Sequence, residues 1–179
     1  MEPGWLLLIY TVPSAPSRKR AAVWRGLKQA GAVYLRDGVC ALPRREETAA
    51  AFHALAAKVE EFGGEATLVE VPHLDERRAA AIAARSREER AAEYAELERE
   101  AERFLAHVRR ETTHRAVTCA EVAELAADLG KLERWAAQIR ARDYFGAADA
   151  QDAAALLARC DEALATCSPV AASHDEGAR

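Results

Sequence analysis

The sequence predicts an α+β fold: a βαββαβ domain over residues 1–72, then an α-helical extension of three or four helices over 73–168, and a disordered tail over 169–179. Three observations predict it. Short apolar runs rich in strand formers alternate with helix-period stretches up to Pro72. Beyond Pro72 the strand signals stop and charged, alanine-rich helical periodicity takes over. Alanine, the best intrinsic helix former and a poor core filler, occupies 43 of 179 positions, while aromatics make up only 6%.

Trp5-Leu-Leu-Leu-Ile-Tyr-Thr-Val12 is apolar on both strand faces, which reads as a central buried strand ended by Pro13 and Pro16. Ser17 is a natural N-cap for a helix over 18–30, whose apolar stripe is Val23, Trp24, Leu27 and Ala30; Gly31 stops it. Residues 32–36 and 38–42 flank Asp37-Gly38, a strong hairpin signal, and Pro43 closes the second strand. Glu46 to Phe62 is a second helix with Phe52, Leu55, Ala56, Val59 and Phe62 on one side, and Gly63-Gly64 terminates it. Residues 65–71 form a fourth strand. Strand, helix, strand, strand, helix, strand is the split βαβ, or ferredoxin-like, arrangement, in which two helices cover one face of an antiparallel sheet.

In the extension, Asp75 to Arg85 is helical, and Ser86-Arg-Glu-Glu89 resembles a capping box that starts or restarts a long helix to about Glu111. Thr118-Cys-Ala-Glu121 is a second capping box, opening a helix to about Arg142. Ala148 to Cys167 is a last helix, which Pro169 ends. The helix over 86–111 carries many Glu and Arg residues at i,i+3 and i,i+4 spacing and a narrow apolar stripe. A helical hairpin, a homodimer seam or packing on the sheet domain would each bury that stripe.

No apolar run approaches 18 residues, and the Trp5–Tyr10 run is too short for a signal-peptide core and lacks a preceding basic segment. The expectation is a cytoplasmic chain with no membrane partner. Its four cysteines, Cys40, Cys119, Cys160 and Cys167, show no zinc-ligand or C-x-x-C spacing and read as reduced thiols. Cys160 and Cys167 share one helix face, so core packing is weighed against a redox pair.

Net charge is −4 but unevenly spread: residues 1–45 hold eight bases against two acids, and the acids predominate after that. Of the 25 bases 21 are Arg, the residue suited to phosphate and oxyanion recognition. Arg18, Lys19 and Arg20 sit at the expected N-terminus of the first helix, followed by Arg25 and Lys28. Cations there repel one another and oppose the helix dipole, a cost of a few tenths of a kcal/mol each, roughly. A bound anion would offset that cost. The cluster is therefore a candidate nucleic-acid-binding surface, with DNA as partner; a solvated basic face whose acids lie across an interface, and a small-oxyanion site, are the other readings.

His107, Glu111 and His114 share one helix side at i, i+4 and i+7, but Thr112-Thr113 weakens the helix and no fourth ligand is evident, so no metal site is expected. Arg140-Ala-Arg-Asp-Tyr-Phe-Gly146 reads as a helix end whose Tyr144 and Phe145 pin it to the core, or as an Arg/aromatic contact to a base or partner. No nucleophile elbow, Walker loop or H-E-x-x-H occurs, and no carboxylate pair stands out. No catalytic residue, cofactor or enzymatic activity is expected.

Trp5-Leu-Leu-Leu-Ile-Tyr-Thr-Val-Pro13, Pro16-Ser-Arg-Lys-Arg-Ala-Ala-Val-Trp-Arg25 and Gly31-Ala-Val-Tyr-Leu-Arg-Asp-Gly-Val39 resemble the amino-terminal domain of the chromate-resistance regulator family ChrB. Phe104–Glu111, Asp128–Leu132 and Arg140–Gly146 fit the same family. The resemblance implies a DNA-binding transcriptional regulator of a chromate-efflux operon, with Arg18, Lys19, Arg20 and Arg25 in the segment that touches DNA. The first seventy residues also resemble the module of phenylacetate repressors and CRISPR nucleases. The nucleases carry an Asp at the end of the first strand, where this chain has Tyr10-Thr11-Val12, which speaks against nuclease activity. Long family members carry a further carboxy-terminal domain held to sense chromate. Its absence here implies a short form or a separately encoded sensor partner; the alternative function is a non-enzymatic interaction or dimerisation module working with such a sensor.

Overall fold

Six consecutive apolar or aromatic residues open the strand Trp5–Thr11, and their alternation puts large side chains on both of its faces. A computed structural model describes residues 4–114 and 117–175. The elements in chain order are β1 (Trp5–Thr11), α1 (Ser17–Gln29), β2 (Val33–Arg36), β3 (Val39–Pro43), α2 (Glu46–Glu61), β4 (Glu65–Val71), α3 (Glu76–His114), α4 (Cys119–Ala141) and α5 (Ala150–Asp175). The chain is α+β, with one four-stranded antiparallel sheet in the order β2-β3-β1-β4. Pro169 does not end the last helix, because α5 continues to Asp175; of the expected tail, residues 176–179 lie outside the described residues. No helix among the described residues is long and apolar enough to cross a membrane.

The chain divides into two compact units, the first made of residues 1–88 and 142–145, the second of 89–141 and 146–179. In the first, β1 lies between β3 and β4, so its backbone groups are paired on both sides. Leu6 and Leu8 meet Val23 and Leu27 of α1 and Phe52, Leu55 and Val59 of α2. On the opposite face Trp5 packs with Val33, Ala41 and Ile82, and with Leu74, Ala79 and Phe145 around them.

The Asp37-Gly38 hairpin forms, and Gly38 alone of the pair has positive φ, at 70°. An irregularity between Tyr34 and Arg36 absorbs the register. Two helix starts differ from expectation. The N-cap of α1 is Pro16, with no side-chain cap, and Ser17 is already helical; the turn is opened by the backbone bond from Lys19 N to Pro16 O at 3.1 Å. Ser86 starts no helix. α3 runs through it without a break from Glu76, and Ser86 is buried with its hydroxyl lacking a hydrogen-bond partner. The flanking helical stretches propagate across the position because continuing a helix gains a bond per residue, whereas restarting one requires a new nucleus.

In the second unit the apolar stripe of α3 (Tyr94, Leu97, Ala101, Phe104, Leu105, Val108) is buried against Leu125, Leu129 and Ile139 of α4 and Leu156, Leu157 and Cys160 of α5. The box at the start of α4 is reciprocal: Thr118 N donates to Glu121 Oε2 at 2.9 Å and Glu121 N to Thr118 Oγ1 at 3.3 Å.

A Cβ on Gly64 would lie 2.1 Å from the Thr11 carbonyl oxygen, whereas one on Gly130 meets only the tip of Arg134 at 3.2 Å. Gly64→Ala forces backbone apart and is expected to cost about 3 kcal/mol. Gly130→Ala, inside α4, is expected to stabilise by roughly 0.5–1 kcal/mol through helix propensity. Urea unfolding of the two variants checks this; a shift of the same sign in both would contradict the packing described for Gly64.

Candidate nucleic-acid interface

The sequence of α1, Ser-Arg-Lys-Arg-Ala-Ala-Val-Trp-Arg-Gly-Leu-Lys-Gln, contains no acid. Its rotation is set by Val23 and Leu27, one helical turn apart, which are 1% and 0% exposed in the sheet core. Trp24 comes 100° further round the helix and is 53% exposed, so it lies outside the apolar stripe to which the sequence pattern assigns it. Arg18, Arg20 and Arg25 are exposed as well, and Lys28 is half-buried in the last turn. Spacing by four aligns Arg20, Trp24 and Lys28 in one row, with Arg18 and Arg25, seven apart, beside it.

Lys19 behaves differently from its neighbours. Its Nζ donates to the Phe62 carbonyl oxygen at 2.9 Å and lies 5.7 Å from the centre of the Phe62 ring. Phe62 is the C-cap of α2. A cation there meets the negative end of the helix dipole and satisfies a terminal carbonyl. Lys19 therefore ties the first turn of α1 to the last turn of α2, and Arg18, Arg20 and Arg25 are the exposed cations of the helix, with Lys28 half-buried. Arg18 and Arg20 lie at the end of α1 where the dipole disfavours positive charge.

The far end of α1 is held by a residue distant in sequence. Tyr144 donates its hydroxyl to the Ala30 carbonyl at 3.0 Å. Arg45 covers the Tyr144 ring at 5.2 Å and donates from Nη2 to the Tyr144 carbonyl oxygen at 3.1 Å. Phe145 stacks on Trp5 at 5.7 Å between centroids. The aromatics of the 140–146 segment thus pack within the first unit.

With that geometry in place, residues 20–174 match the family described as Protein ChrB, N-terminal. The chain belongs to the ChrB amino-terminal family. Protein ChrB of Cupriavidus metallidurans is 35% identical to it over 95 residues, which cover 53% of this chain and 29% of that protein. The chain therefore matches under a third of that relative's length. No solved structure matches the chain. The stretch matched to the ChrB family includes Arg20, Trp24, Arg25 and Lys28, while Arg18 and Lys19 precede it.

Elsewhere in this ChrB-type chain the candidate chemistry is diffuse. His107 Nδ1 lies 3.9 Å from Glu111 and 2.8 Å from Arg110 Nη2; the side chain of His114 lies outside the described residues. Among the described residues no three His, Cys, Asp or Glu side chains converge as metal ligands. Cys40 is fully buried, and burial pushes its thiol up to about 12. Burial likewise pushes Cys160 up to about 11 and raises Cys167. The thiolate is the reactive form, so burial and the raised titration both disfavour reaction of these three at neutral pH.

Two outcomes follow. Lys19→Met removes a partly exposed charge-assisted bond and is expected to lower stability by about 0.5–1 kcal/mol, whereas Arg18→Ala should stay within about 0.5 kcal/mol of wild type. Denaturant titration of both checks it, and equal stabilities would remove the structural role of Lys19. In native protein at neutral pH, iodoacetamide should label the exposed Cys119 alone of the four thiols, with Cys40, Cys160 and Cys167 reacting only on unfolding; peptide mapping reads this directly.

Proposed function

We propose that this chain is the DNA-binding part of a transcriptional regulator of chromate resistance. In this reading the first unit is a ferredoxin-like βαββαβ module that presents α1 to the phosphate backbone. The single observation that carries it is the exposed set Arg18, Arg20 and Arg25 on a helix with no acid of its own. Such a set neutralises phosphates and releases counterions, the dominant sequence-independent term in DNA binding. Bound phosphate also offsets the cost of holding Arg18 and Arg20 against the helix dipole. Membership of the ChrB amino-terminal family supports the link to chromate. The protein is read as non-enzymatic and cytoplasmic.

The second reading, a dimerisation module using residues 86–111, draws less support. The stripe offered for that seam is already buried against α4 and α5.

Fluorescence anisotropy against the DNA upstream of its own operon, beside a scrambled duplex, tests the proposal. With about four to six phosphate contacts per protomer the log–log salt slope should be roughly −4 to −5. The variant Arg18→Glu/Arg20→Glu/Arg25→Glu, which spares Lys19 and hence the fold, should lose binding. Wild-type affinity in that variant would overturn the proposal. Adding chromate distinguishes residues 1–179 acting as a self-contained sensor, which release DNA, from residues that need a further domain or partner for sensing, which do not.

A further inference from the structure

Burying a Trp side chain is ordinarily among the more stabilising things a small core can do, since it carries one of the largest apolar surfaces. This chain has three Trp residues. Trp5 is buried at 7% exposure and Trp135 packs against the helical core, but Trp24 is 53% exposed. It stands on the acid-free helix, with Arg20 one turn before it, Lys28 one turn after it and Arg25 adjacent. An exposed indole on a helix that carries exposed Arg20 and Arg25 and no acid fits poorly with a protein surface of ordinary composition, which would supply acids rather than a flat apolar face. It fits a polyanion that also offers aromatic rings.

We propose that Trp24 is the base-stacking contact of the α1 surface: the indole takes the face of an unstacked nucleobase while the exposed Arg20 and Arg25 hold neighbouring phosphates. This rests on the DNA-binding reading and deepens it. Phosphate contacts position a protein on nucleic acid, but they do not distinguish an opened base step or single strand from intact duplex. A stacking platform does, because the base must leave its own stack to reach it. The site therefore takes a base exposed either in single-stranded DNA or at a kinked duplex step, and both present the same π face.

The test uses the full chain as wild type, Trp24→Phe and Trp24→Ala, titrated onto labelled operon-upstream DNA as single strand and as duplex over a salt series. Trp24→Ala should lose roughly 5- to 150-fold in affinity, the range of one base–aromatic stack. Trp24→Phe should keep most of the affinity, and the salt slope should not change. DNA addition should quench the tryptophan fluorescence of wild type, and should quench that of Trp24→Phe less. Loss on the strand alone identifies single-stranded DNA as the source of the base; loss on both identifies an opened duplex step. Affinity of Trp24→Ala within twofold of wild type on both DNAs overturns the proposal. That result, together with loss of binding in the Arg18/Arg20/Arg25 reversal variant, would leave the DNA-binding reading standing and remove only the stack. Thermal unfolding of Trp24→Ala close to wild type confirms that folding is not the cause of the loss.

Discussion

A strand that is apolar on both faces has to be covered twice, and β1 imposes that demand on everything around it. Its backbone is satisfied by β3 on one side and β4 on the other, so no edge remains for water. Leu6 and Leu8 require α1 and α2 above the sheet, and Trp5 requires Ile82 and Phe145 below it. Each covering element then has its rotation fixed by the residue it contributes. Val23 and Leu27 face the sheet, so the opposite side of α1 faces solvent, and the composition of that side decides what the unit can meet.

That outer side is where local and global preferences diverge. A helix optimised for its own stability would carry acids in its first turn and bases in its last. α1 has Arg18 and Arg20 in the first turn and no acid anywhere. Lys19, between them, is reconciled with the fold by reaching the C-terminal carbonyl of α2. The others have no such resolution among the described residues. Natural sequences tend to break local rules at functional positions, and here the broken rule concerns charge.

The strands were legible because they rest on short signals that tertiary packing reinforces. Residues 65–71 are the strand expected, and Asp37-Gly38 turns the hairpin. The capping box at Thr118 was legible for the same reason, since its two bonds are local. Ser17 and Ser86 show the limit of that logic. Capping residues are signals only if the chain outside them departs from helical geometry, and at Ser86 it does not. Trp24 was misplaced because periodicity counts an indole as core wherever it neighbours core positions; one residue of rotation puts it outside. Of the five basic residues, the sequence could group them but could not separate Lys19. Its partner, the Phe62 carbonyl, is a backbone atom 43 positions away, and backbone atoms leave no trace in residue type.

The sheet unit is discontinuous in the chain: it stops at Glu88 and resumes for Arg142–Phe145. The bond from Tyr144 to Ala30 spans 114 positions. Closing so long a loop carries an entropic cost that must be met before the contact rewards it. During synthesis the first seventy residues can pair their strands early, but Trp5 lacks its stacked ring, and α1 its last acceptor's donor, until residue 145 has left the ribosome. The two units consequently cannot be exchanged between proteins as separate cassettes by a single crossover. A recombinant that inherits the sheet from one parent and everything beyond Glu88 from another must also inherit a compatible Tyr144 and Phe145.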